Sequence, residues 1–398
     1  MPPPEPAATS RFDTVDLLRG ISILLVILLH TYIRTHFAVA EMRAVLPPSL
    51  FHLLLQNGDN GVTIFFAISG FLIAFTSIQR FGSLALMQPL RFYRIRLARI
   101  GPLLLLLLAV LSILDLIHAD GFVIDPKRES LPGALFAALT FHLNWYEAVH
   151  GYLPANWDIL WSLSVEEMFY LFFPIVCLLL LRWKRGLYAF IALLLAFVAM
   201  GPFARALWTH NPIWQDDTYL GGMDAIALGC LTALAAANLG APPSTVSSFR
   251  VGFLTARKLL VIQTFGAILI FWILLWPTWL WIRPIMRFLG RHGLDGTILP
   301  LGTCLVIFAS VLRARPGRLW TAPVRWFGRH SYEVYLTHEF VVVWGSALFA
   351  SLHKQQRSGP IAIWFAAILL ATAPLGWLVT RFYSEPMNRR LRGALPPT

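Results

Sequence analysis

Long apolar runs alternate with short polar segments along almost the whole chain. A helix needs roughly 20 apolar residues to cross the hydrocarbon core of a bilayer. Ten stretches meet that length: 17–37, 61–79, 100–118, 157–181, 187–207, 218–238, 259–282, 297–313, 331–352 and 361–383. An eleventh run, 131–146, is shorter and is expected to lie re-entrant or interfacial on the outer side. No internal repeat, heptad pattern or Gly-rich phosphate loop interrupts the series. The pattern predicts an all-α polytopic membrane protein of about ten transmembrane helices. It divides the chain into a tail over 1–14, one ten-helix domain over 15–390 and a second tail over 391–398. The Pro- and Ala-rich start, Met1 to Ser10, is expected to be disordered and shows no signal-peptide pattern.

Composition narrows the class. Of 398 residues, 57% are hydrophobic and 13% charged, and mean hydropathy is +0.66. Soluble domains carry about twice that share of charge, so a water-soluble enzyme is excluded. A net charge of +12 would suggest nucleic acid in a soluble protein. Here the basic residues cluster in the segments between apolar runs, as in cytoplasmic membrane loops, and no nucleic-acid partner is expected. With the N-terminus inside, the groups Arg11 and Arg19, Arg80 to Arg99, Arg182 to Arg185, Arg250 to Lys258, Arg313 to Arg329 and Arg381 to Arg392 are all expected to face the cytoplasm. Both termini are therefore expected to be cytoplasmic, in a multi-pass protein of the inner (cytoplasmic) membrane. Arg283, Arg287 and Arg291 are the exception. Cys177, Cys230 and Cys304 all fall inside apolar runs, with neither disulfide nor metal-ligand spacing.

An ionisable group inside a bilayer is expensive and defaults to function. Arg19 and His30 lie eleven residues apart in the first run. At about 100° and 1.5 Å per residue they share one helix face, roughly 16 Å apart along the axis. Arg19 sits at the cytoplasmic mouth and His30 well across the membrane, so an anion site and a base lie on one line. The stretch Trp161-Ser-Leu-Ser-Val-Glu166-Glu167 places two carboxylates about ten residues into the fourth run. Adjacent side chains project about 100° apart, so one of them, Glu166, is expected to face the site and to orient or charge His30. Arg96 and Arg99 are i, i+3 neighbours where the chain enters the membrane, and paired guanidinium groups suit phosphates. Asp224 and His338 are further intramembrane polar groups. Gly221, Gly222 and Gly229 mark close helix packing. No His, Cys and carboxylate cluster has metal spacing, so no metal is expected.

Together these segments resemble the membrane-bound acyltransferase-3 family, in that family's order. Arg19-x10-His30 is similar to its first-helix signature, and Gly61-Val-Thr-Ile-Phe-Phe-Ala-Ile-Ser-Gly-Phe71 to its second-helix motif. Arg96-Leu-Ala-Arg99 with Pro102 resembles its RxxR element, and Trp161-Ser-Leu-Ser-Val-Glu166 its fourth-helix stretch. Phe327 to His338 and Glu385-Pro386 resemble its last two helices. Thr63 stands where an Asp is common, and Met223 where an Arg often precedes the Asp.

The resemblance implies an O-acyltransferase, usually of acetyl. It moves an acyl group from cytoplasmic acyl-CoA, a co-substrate rather than a bound cofactor, to a hydroxyl of a cell-envelope glycan or similar acceptor. Many members carry a fused extracytoplasmic SGNH domain, and this chain, ending shortly after its last expected span, is expected to lack one. On this reading His30 and Glu166 are catalytic, and Arg19, Arg96 and Arg99 bind the donor. Trp161, Glu167, Asp224 and His338 are substrate-contacting candidates. Direct transfer and an acyl-His intermediate both fit. Two other classes stay open at this point: a transporter or flippase using the same charges as a proton relay, and a non-enzymatic partner of a glycan assembly complex. Membrane lipids are expected partners, and the oligomeric state is not readable.

Overall fold

The computed structural model describes residues 12–207, 211, 213–239, 254–275, 283–357 and 359–393. The tails over 1–11 and 394–398, Arg11, Arg250 and residues 276–282 of the seventh expected span lie outside them. Among the described residues, ten helices are long and apolar enough to cross a membrane: Asp13–Arg34, Gly58–Phe81, Pro89–Leu116, Ala155–Leu181, Gly186–Leu207, Ile213–Asn238, Ala256–Leu275, Asp295–Arg313, Ser331–Lys354 and Ile361–Gly393. They are the ten expected from the sequence and are numbered first to tenth here. Helices are the natural solution, because in lipid every backbone N–H and C=O must find its partner inside the segment. Hydroxyls follow the same rule, as when Thr31 and Thr35 donate to the carbonyls of Ile27 and Thr31.

Two departures from the expected boundaries bear on function. The third helix begins at Pro89, eleven residues early, so the whole Arg91–Arg99 stretch is helical. Pro89 occupies the first turn, where its missing N–H costs nothing, and Arg is a good helix former. The run at 131–146 forms two short helices, Leu131–Leu139 and Leu143–His150, neither long enough to cross.

Packing is closest where side chains vanish. The second and sixth helices press together at Gly70 and Gly229, where an added Cβ would strike the carbonyl oxygens of Ile226 and Ala67. The first helix is held in the same way by the short helix Ala322–Arg329, through Gly20 and Gly328. That short helix also carries Arg325 onto Asp13 at 2.5 Å and Arg329 onto Asp16 at 3.2 Å. The start of the first helix, and so Arg19, is fixed in place. The ninth helix packs on both the first and the tenth. Cys177, Cys230 and Cys304 are buried and unpaired.

Candidate active site

Two polar centres lie along the first helix. At the deeper one, His30 donates its Nδ1–H to Oε1 of Glu339 on the ninth helix. One turn on, Arg34 closes a fork on the other oxygen, with Nη2 at 2.9 Å and Nε at 3.1 Å. Three donors thus converge on a carboxylate that is only 2% exposed, while the His30 side chain keeps 19% of its surface open. The carboxylate is sealed and the imidazole is reachable. With Nδ1–H committed to Glu339, Nε2 of His30 holds a lone pair.

His338 completes this centre. Its Nδ1–H donates to the Tyr335 carbonyl at 2.7 Å, which fixes the tautomer and leaves Nε2 as an acceptor. That nitrogen is buried without a partner and lies 3.9 Å from Oε1 of Glu339. The two imidazole rings are 5.1 Å apart. The fold therefore gathers His30, His338 and Glu339 from two helices, with ligand-type atoms within 4.8 Å of one another, a cluster that no spacing in the sequence reveals. A divalent ion bound there would have to displace the proton between His30 and Glu339. It would also sit against the Arg34 guanidinium. The donor set fits a proton relay better than a cation.

The second centre is a cavity of about 120 Å³. Arg19, Arg96, Arg99, Glu166, Ser69, Ser162, Tyr170 and Tyr335 contribute to its lining. Arg96 stacks over the Tyr170 ring at 3.7 Å, a cation–π contact. The Tyr170 hydroxyl donates to Glu166 at 3.3 Å and also meets Ser69. The cavity extends to Tyr335 and Leu336 on the ninth helix, about one turn before Glu339. Arg19, Leu72, Arg96 and Arg99 also line a wider vestibule of about 420 Å³, which holds Arg80, Arg329 and Arg392 as well. An anionic molecule with a long narrow arm matches this shape, its charge in the vestibule and its arm in the cavity.

The carboxylate on His30 is Glu339, not Glu166 as the sequence led us to expect. The reason is helix packing. The ninth helix lies against the first, whereas Glu166 sits at the level of Arg19 and is taken up by Tyr170 and Ser69. Arg19, Arg96 and Arg99 do converge. Trp161 packs edge-on against Phe66 at 6.0 Å and lines neither cavity. Glu167 is buried beside the cavity with Oε1 unpartnered. Asp224 lines neither cavity. It binds Arg205 at 2.7 Å and accepts from Thr297 at 2.5 Å. Although Met223 stands where a neighbouring Arg would be, the fifth helix supplies one. Arg205 also reaches the carbonyls of Gly293 and Gly221. Glu339 and Arg34 escaped the sequence reading, yet a carboxylate beside His338 in an apolar run carries the same signal that picked out His30.

Residues 12–381 match the acyltransferase-3 family, an acyltransferase domain. The chain belongs to this family. It is 24% identical over 371 residues to the O-acetyltransferase OatA of Staphylococcus aureus (strain NCTC 8325 / PS 47), covering 87% of this chain and 56% of that protein. It is likewise 24% identical over 389 residues to the peptidoglycan O-acetyltransferase OatA of Listeria monocytogenes serovar 1/2a, covering 94% and 56%. The chain thus spans about half the length of these curated relatives. No solved structure matches it. The described residues hold ten candidate membrane helices, and the two centres lie within the part of the chain that matches this acyltransferase domain.

Proposed function

We propose that this acyltransferase takes an acyl group, most simply acetyl, from acyl-CoA at the arginine-lined vestibule. It passes the group to a hydroxyl of a cell-envelope glycan or related acceptor at His30. The observation that carries the reading is the alignment along the first helix. A vestibule and cavity lined by Arg19, Arg96 and Arg99 lead towards a His–Glu pair whose imidazole alone is open. This arrangement supports cytoplasmic termini and an inner-membrane location, since acyl-CoA is a cytoplasmic donor and the basic segments cluster on that side.

In the proposed reaction, Nε2 of His30 removes the acceptor's hydroxyl proton as the oxygen attacks the thioester carbonyl. Glu339 holds the ring in the productive tautomer and stabilises the imidazolium, and Arg34 holds Glu339. The tetrahedral intermediate collapses by breaking the C–S bond, and the imidazolium returns its proton to the departing CoA thiolate. Glu166 orients the donor end by holding Tyr170, over which Arg96 stacks. His338, sealed with its Nε2 towards the pair, backs the His30 ring at 5.1 Å.

The test is mass-spectrometric profiling of ester-linked acyl groups on surface glycans and lipids. It compares the parent, a deletion, and the deletion complemented with wild type or His30→Ala at matched protein levels. An ester that disappears and returns only with wild type is the expected result, and it identifies the acceptor. Full restoration by His30→Ala overturns the assignment of the base.

A further inference from the structure

The vestibule holds more positive charge than a pyrophosphate alone requires. Arg19, Arg96 and Arg99 line both the inner cavity and the vestibule and so mark the gate between them, whereas Arg80 and Arg392 line only the vestibule. Arg80 comes from the last turn of the second helix, and Arg392 from the C-terminal helix Glu385–Gly393, which packs on the third. Arg329, also in the vestibule, is already ion-paired with Asp16. Among the described residues, no carboxylate lies within ion-pair distance of Arg80, Arg392 or the three gate arginines. Arg392 lies within electrostatic range of Arg80, Arg96 and Arg99, all of the same sign. Unpaired guanidinium groups converging on one hollow repel one another until an anion joins them.

The order of these groups matches the order of charges on the donor. From its thioester outward, acyl-CoA carries an uncharged pantetheine arm, a pyrophosphate, and a ribose with its own 3′-phosphate. We propose that Arg80 and Arg392 form a dedicated subsite for the ribose 3′-phosphate, outside a pyrophosphate held at the gate by Arg19, Arg96 and Arg99. The subsite makes this enzyme selective for free acyl-CoA over donors that present the same arm without that phosphate. This rests on the acyl-CoA reading above. A phosphate monoester is a compact dianion, and two guanidinium forks give it charge-assisted hydrogen bonds, the strongest of the ordinary kinds.

The experiment measures binding of CoA and of 3′-dephospho-CoA to the full chain in detergent or nanodiscs, by competition with labelled acetyl-CoA. Wild type is expected to bind CoA about 10- to 100-fold more tightly than the dephospho form. In the double variant Arg80→Gln with Arg392→Gln the two should bind equally, with affinity for 3′-dephospho-CoA unchanged, which also shows that the protein is folded. Arg96→Gln should weaken both by the same factor. Equal binding of the two nucleotides to wild type, or discrimination that survives in the double variant, overturns the subsite alone. Binding of neither to folded wild type overturns the acyl-CoA reading and the subsite with it.

Discussion

Replacing Glu339 by Gln keeps the size of the side chain and removes one acceptor oxygen. The site is too sealed for water to take its place, since Glu339 is 2% exposed. Three donors face the residue: Nδ1–H of His30 and Nε–H and Nη2–H of Arg34. A glutamine has a single oxygen, and the charged two-bond fork of Arg34 claims it more strongly than a neutral imidazole does. The amide NH2 then points at Nδ1 of His30, which must become an acceptor. The proton moves to Nε2, the nitrogen that has to be empty to serve as a base. Loss of a positioned base lowers turnover by about 10²- to 10⁴-fold, or about 3–5 kcal/mol of barrier. The donor centre lies about 16 Å back along the first helix, so the KM for acetyl-CoA should stay within about twofold. Initial rates of acetyl transfer in membrane vesicles, normalised to protein, measure both. Turnover within threefold of wild type would show that Glu339 does not set the state of His30, and the mechanism would be wrong at its centre.

Three further outcomes are expected. Arg205→Leu leaves the Asp224 carboxylate buried and without its cation, and should destabilise the protein by about 3–5 kcal/mol. It should leave CoA affinity per folded molecule unchanged, and thermal unfolding beside a binding titration reads both. Gly229→Val drives a branched side chain into the backbone of the second helix and should abolish folded protein on fluorescence-detected size exclusion, whereas a substitution at lipid-facing Leu195 should not. The third outcome concerns Glu147, between the third and fourth helices. Burial, then the neighbouring Asp158 charge, pushes its carboxyl well above the usual range, against one hydrogen bond from the Leu153 N–H. A raised folded pKa means stability that is fully present below the unfolded value and lost as pH rises through the folded one. Glu147→Gln should therefore raise the melting temperature at pH 8 and leave it nearly unchanged at pH 4. A fall at pH 8 would show that the ionised carboxylate is stabilising.

The spans were legible in the sequence because hydropathy in a bilayer is a constraint on one segment at a time. The ten long helices fall where the apolar runs fall, and the run at 131–146 was too short on its face. Arg19, Arg96 and Arg99 were legible as a group because each stands at the same end of its helix. The His30–Glu339 pair was not, since it depends on which helices pack together, and no spacing within one run encodes that. Glu166 was the more visible carboxylate because it lies in a recognisable stretch. Arg205 on Asp224 is another pairing settled only in three dimensions, with the partner arriving from another helix rather than from position 223.

The split of the two centres along the chain has a consequence for biogenesis. The cationic gate, with Arg19, Arg96, Arg99 and Glu166, is drawn from the first four helices, whereas Glu339 belongs to the ninth. During synthesis Arg392 of the outer vestibule arrives last of all, whereas the gate arginines Arg19, Arg96 and Arg99 are in the membrane long before His30 meets its carboxylate. Until then His30 and Arg34 are inserted with no Glu339 to meet them, an expensive state in lipid. The arrival of the ninth helix relieves that cost and, on the proposed mechanism, completes the base in the same step. On that mechanism, a chain that stops before the ninth helix carries the three gate arginines but has no carboxylate to set the state of His30.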